Sequence, residues 1–198
     1  MRTLTPHSSF VLGLAAFAAL AIAVGAATSS HAAQSTYLAT LTGPSESPPN
    51  ASPGTGTAQV DIDPVAHTMH VHVTFSGLTG NTTASHIHAA TASPGTGTAG
   101  VATTTPTFAG FPLGVMAGTY DIILDMTQAS SYNPSYITAH GNTTTQAEAD
   151  LFAAIAAGEA YLNIHTSTFG GGESRGFLVP EATPTTVQSW GRIKALYH

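Results

Sequence analysis

Met69-His-Val-His-Val-Thr-Phe75 alternates apolar and polar side chains without a break. A helix would scatter such a pattern around its whole circumference, whereas a strand sorts it cleanly onto two faces. Met69, Val71, Val73 and Phe75 then share one face and His70, His72 and Thr74 the other, as in an outer strand with one wet face. Comparable short runs recur at Thr36–Thr42, Thr57–Asp63, Thr68–Ser76, Thr83–His88, Gly100–Thr105, Thr119–Met126, Ala160–Thr166 and Arg175–Val179, divided by Gly, Pro, Ser and Asn. Short strands with regular turn punctuation predict an all-β fold, a Greek-key-like antiparallel β-sandwich.

One short helix is expected near residues 145–157. Thr145-x-x-Glu148 has the form of a capping box, Leu151, Phe152 and Ile155 make an apolar stripe, and Gly158 supplies a left-handed stop. The helix is expected to cover an open end or edge of the sandwich in a structural role. The octapeptide Ala-Ser-Pro-Gly-Thr-Gly-Thr-Ala occurs at 51–58 and again at 92–99, and each copy reads as a turn that leads a loop into a strand.

The ends differ in composition from the middle. Arg2 followed by the apolar run Phe10–Val24 and small residues up to Ala33 reads as a signal peptide over residues 1–33, with an uncleaved anchor as the alternative. The expected localisation is therefore secreted, periplasmic or at the cell surface, with no membrane span after signal removal. Residues 36–179 form the expected β-domain, and residues 180–198 a linker and tail. In that tail Trp190, Ile193 and Tyr197 fall at i, i+3 and i+7. It reads either as a frayed terminus or as a segment recognised by sorting machinery.

Charge and cysteine narrow the chemistry. Only 7% of residues are charged, the net charge is −6, and the whole chain has four Lys and Arg residues. Nothing there can neutralise a phosphate backbone, which argues against nucleic acid as a partner. The absence of cysteine excludes disulfides, thiol catalysis and zinc–thiolate sites, leaving histidine and carboxylate as the good metal ligands. No Gly-x-Ser-x-Gly elbow or phosphate-binding glycine loop supports hydrolase chemistry.

The ten histidines carry the sharper expectation. Alternation puts His86 and His88 on the face opposite Ile87, and Tyr161, Asn163 and His165 on the face opposite Leu162 and Ile164. If these strands are neighbours, three imidazoles converge, with His140 or a water as a fourth ligand. An all-histidine site without sulfur suits copper(II) best and zinc next. The alternative is a buried hydrogen-bond network that bridges the strand ends. His70 and His72 are read as decoration of a solvated face. Glu173 and Arg175 share a strand face and are expected to pair after a tight turn.

Glu46-Ser-Pro-Pro49 after Gly43, Gly56-Thr-Ala58, Gly77-Leu78, His86-Ile-His88, Tyr161-Leu-Asn-Ile-His-Thr166 and Gly171-Gly-Glu-Ser-Arg-Gly176 occur in one order. Together they resemble the CHRD domain, a module named from chordin and widespread in secreted bacterial proteins, from about Tyr37 to Leu178. Ser174 stands where that family usually has an aliphatic residue. The resemblance implies an extracellular β-sandwich-like domain. The histidine pattern is also similar to the order of copper-site elements in Cu/Zn superoxide dismutases. That similarity implies His86, His88 and His165 as copper ligands, His140 as a fourth, and Arg175 as a catalytic residue steering superoxide. Without a cysteine pair or a zinc-binding loop, such a relative would hold copper alone.

The function expected from the sequence is a secreted, CHRD-like extracellular binding module with a histidine metal site. The alternatives are a copper-dependent superoxide dismutase-like enzyme and a structural module of the cell surface or matrix with an extracellular protein partner.

Overall fold

The computed structural model describes residues 34–182. The expected signal peptide and nearly all of the expected tail lie outside them. Eight strands form: β1 (Ser35–Thr42), β2 (Thr55–Asp63), β3 (Thr68–Ser76), β4 (Thr82–His88), β5 (Gly118–Asp125), β6 (Tyr161–Thr166), β7 (Ser174–Phe177) and β8 (Val179–Pro180). They build one antiparallel sheet in the order β4-β6-β7-β1-β2-β3-β5, with β8 on β1. The sheet curls as a half-barrel, so the all-β, antiparallel expectation holds with the layers joined into one continuous surface.

Alternation decides which face is dry. Met69, Val71, Val73 and Phe75 of β3 are buried together with Tyr37, Ala39 and Leu41 of β1 and Val60 and Ile62 of β2. Ile87 of β4 and Leu162 and Ile164 of β6 join the same core from the far end of the sheet, each fully buried. Burial of this kind contributes about 25 cal/mol per Å² of apolar surface, which is why the pattern overrides local preference. β3 lies between β2 and β5 and is an interior strand, but it keeps the wet face that its sequence predicted.

Two helices occur where one was expected: α1 (Pro134–Ala139) and α2 (Thr144–Ala156). α2 closes over the core with Leu151, Phe152 and Ile155, and Gly158 beyond its end adopts φ 71° as the stop signal required. Its cap sits two residues earlier than expected. Thr143 is the N-cap and accepts from the Gln146 amide, while Glu148 is buried and paired with His67. α1 escaped notice because it is a single short turn and a half, begun by Asn133 and Pro134.

Two further expectations change. Gly100–Thr105 makes only isolated bridges, Val101 to His88 and Thr103 to Tyr132, and is no strand. The first octapeptide leads into β2, but the second stays in the long connection from β4 to β5, bent at Ser93–Thr96. That connection is what covers the histidines.

Candidate metal centre

β4 and β6 are neighbours, and their register places Ala84 opposite His165, His86 opposite Asn163 and His88 opposite Tyr161. The small Ala84 stands across from His165, so the His165 ring can lean diagonally toward His86. All six side chains project from the face opposite Ile87, Leu162 and Ile164, as alternation requires. The His86 ring lies 5.3 Å from that of His165 and 5.8 Å from that of His88, centroid to centroid. One ring nitrogen from each of the three lies within 4.8 Å of the others. His86 and His88 are buried and His165 half-buried.

The tautomers follow from the partners. A carbonyl oxygen can only accept, so the ring nitrogen facing it must carry the proton. His86 Nε2 donates to the Pro106 carbonyl at 2.7 Å, His88 Nδ1 to Ala99 at 2.9 Å, and His165 Nδ1 to Gly170 at 2.9 Å. Each imidazole therefore keeps one lone pair for the space between the rings. His86 Nδ1 and His165 Nε2 are buried there without any hydrogen-bond partner. His88 Nε2 faces Asn163 Oδ1 at 3.1 Å, and an oxygen has no proton to give it. Either the Asn163 amide turns over to present its NH2, or a cation takes the lone pair.

Burial pushes all three imidazoles below the usual range. His86 falls to about 4, mainly by desolvation and further by its two neighbours, against the pull of the Pro106 carbonyl. His88 and His165 are lowered chiefly by burial, and the Arg175 charge adds to the effect at His88. At neutral pH the three rings are uncharged, oriented by main-chain carbonyls, and directed at one another with free lone pairs. That is the protonation state and outer support that a metal needs from histidine. The residues present fit a metal ion.

The two other residues expected at the site are placed differently. His140 caps α1, stacks on Tyr136 with centroids 3.9 Å apart, and bonds Asp150 at 2.7 Å; it is not part of the three-histidine group. Arg175 is buried, with 6% of its surface exposed. Its guanidinium donates to the carbonyls of Ser45 and Gly97, faces Glu46 at 3.8 Å and lies 4.7 Å over the Tyr161 ring. Tyr161 in turn stacks flat on His88, 4.8 Å away at 5°. Arg175 thus braces the site through Tyr161.

Its partner is Glu46, not Glu173. Burial lifts the Glu46 carboxyl to about 7, against the opposing charge of Arg175 and the Ser47 amide. Glu173 is instead a fully buried hub that accepts from Ser52 Oγ, the Thr79 amide and hydroxyl, the Gly80 amide and Thr166 Oγ1. Burial raises its pKa, the Ser52, Thr166 and Thr79 donors lower it more, and the net shift is downward.

Sequence reasoning missed the parts contributed by loops. The Ala99 and Gly97 carbonyls come from the second octapeptide, and no side-chain pattern announces a carbonyl. Asn163 was legible as a face-mate of His165, but its register against His86 was not. Among the described residues, no helix is long and apolar enough to cross a membrane.

Comparison with models of known protein families matches residues 37–178 to the CHRD domain. No curated protein and no solved structure gives a significant match.

Proposed function

The chain belongs to the CHRD domain family, and from that starting point we propose that it is an extracellular binding module built around a three-histidine metal site that takes copper. The observation that carries this reading is the set of three lone pairs left facing one another when each imidazole gives its proton to a main-chain carbonyl. His86, His88 and His165 would hold the ion. Three neutral nitrogens with no sulfur and no carboxylate favour copper(II), with zinc second. When bound, copper supplies a one-electron couple and a Lewis-acidic centre. The chain's own residues orient the rings, keep them unprotonated and wall them from bulk water.

The reading extends to location. The N-terminal segment supports export, and a domain with so few charges and no cysteine suits an oxidising exterior. Residues 1–33 are then a signal peptide and residues 180–198 a linker and tail. The dismutase-like alternative retains the same three ligands, but it loses its steering cation, because Arg175 is committed to Ser45, Gly97 and Glu46. Binding without turnover is the better-supported reading, with an extracellular protein or matrix partner for the module.

The test is metal content by mass spectrometry after copper and zinc loading and desalting, on the chain and on a His86→Ala/His165→Ala variant. One copper per chain, lost in the variant, is expected. Equal metal in both would overturn the site. Copper uptake with superoxide turnover that falls in Arg175→Ala would favour the enzyme instead.

A further inference from the structure

Three imidazoles leave at least one position open on an ion that takes four ligands. His140 does not fill it, because its ring is held on Tyr136 and Asp150. Asn163 lies in the middle of the group instead. It is paired with His86 of β4 on one side and with Arg175 of β7 on the other, and His165 follows it two residues along β6 on the same face. Its main-chain carbonyl accepts from Ser85 Oγ at 2.8 Å, and the residue is 3% exposed. The side chain is therefore enclosed on the face that carries the rings.

Asn163 Oδ1 faces His88 Nε2 at 3.1 Å. Because His88 Nδ1 gives its proton to Ala99, this contact sets two lone pairs against each other. In the same group His86 Nδ1 and His165 Nε2 are buried with no partner. Turning the amide over would bring two N–H groups to three lone pairs and leave at least one unmet. A cation among the rings meets all three, and it makes a bond of the fourth lone pair, on Asn163 Oδ1. The spacing agrees. Two donors held on one ion at about 2.0–2.1 Å stand about 2.9 Å apart at a right angle and about 3.3 Å apart in a tetrahedron. We infer that Asn163 is the fourth ligand, binding through Oδ1, so that the site consists of three imidazole nitrogens and one amide oxygen. This assignment rests on the three-histidine site proposed above and gives that site a preference. All four donors are neutral and none is sulfur, so the soft ligand that copper(I) seeks is missing and copper(II) is favoured.

The experiment is copper(II) binding by the full chain and by Asn163→Leu, Asn163→Asp and Asn163→Ala. Affinity is read by competition with a chelator, and the bound ion by electron paramagnetic resonance. Each variant should still take one copper per chain, because the three histidines remain. Asn163→Leu, similar in shape but without the oxygen, should lose about tenfold or more in affinity. Asn163→Asp keeps an oxygen and adds charge, and should bind at least as tightly as the unaltered chain. In Asn163→Ala a water can enter the vacated space, and the copper resonance should gain a coupling to exchangeable protons that disappears in heavy water. If Asn163 only donates its NH2 to His88, it competes with the metal. Asn163→Leu would then bind copper as tightly as the unaltered chain or more so, Asn163→Ala would gain no such coupling, and the fourth ligand is overturned while the three-histidine site stands. An unaltered chain that takes no copper overturns the three-histidine site and this ligand with it. Should Asn163→Leu not fold by circular dichroism, the proton coupling in Asn163→Ala decides the matter.

Discussion

At the residue scale the molecule is governed by where protons and lone pairs are placed. His86 is held at about 4 by burial, below its unfolded value near 6.5. The unfolded chain therefore binds a proton that the folded one refuses between those values, so His86 costs metal-free stability as pH falls from 6.5 toward 4. Glu46, raised to about 7, acts in the opposite direction over much of that window. The useful measurement is thus the difference in unfolding free energy between the metal-free chain and His86→Gln. That difference should move in favour of the variant as pH drops from 7 to 4.5; a flat difference would refute the depressed imidazole. The same depression means that metal should be retained below pH 6.5, where free imidazoles have already protonated, and be released as pH approaches 4. Glu173 gives a second prediction. All of its partners donate, and two are backbone amides that cannot turn away. Glu173→Ala should cost about 3 kcal/mol or more in urea unfolding, and Glu173→Gln should not rescue it, because its amide group meets donors with donors.

At the element scale, the α2 cap separates a sequence expectation from what the helix uses. Thr143→Ala should destabilise the chain by about 1 kcal/mol, whereas Thr145→Ala, inside the first turn, should be close to neutral by thermal melting. Strand content was readable because burial of one face enforces period two, which β3 follows residue by residue, whereas β6 is buried on both faces. The convergence of His86, His88 and His165 was readable as a conditional: it required β4 and β6 to be neighbours, and pairing between strands more than seventy residues apart is not written in either one. The loops were the opaque part. Gly100–Thr105 has strand composition but is spent satisfying Ile87, His88 and Asn133, and the second octapeptide meets a different environment from the first. At Gly172 backbone conformation and the neighbouring Glu46 side chain both exclude a larger residue. The φ of Gly172 is 131°, and an added Cβ would stand 2.6 Å from Glu46 Oε1. Gly172→Ala should therefore lower the melting temperature and loosen the Glu46–Arg175 contact together.

At the scale of the whole molecule the imbalance of charge dominates. All ten Asp and Glu residues of the chain lie in the described residues, where Arg175 is the one Lys or Arg. Histidine is the hydrogen-bond partner of several of these carboxylates, His67 of Glu148, His70 and His72 of Asp121, and His140 of Asp150. Residual self-repulsion should be relieved by electrolyte. Raising ionic strength from about 0.01 M to about 0.15 M shortens the screening length from about 30 Å to about 8 Å and should raise the melting temperature in differential scanning fluorimetry. A fall would indicate that the histidine–carboxylate pairs outweigh the repulsion. His86, His88 and His165 pair with no carboxylate among the described residues, and each is oriented by a main-chain oxygen at Pro106, Ala99 or Gly170. Side-chain truncation leaves an oxygen of that kind in place. Alanine scanning of these loops would pass over half of what sets the site. Only edits to the course of the chain, by deletion, insertion or a misplaced proline, would reach it.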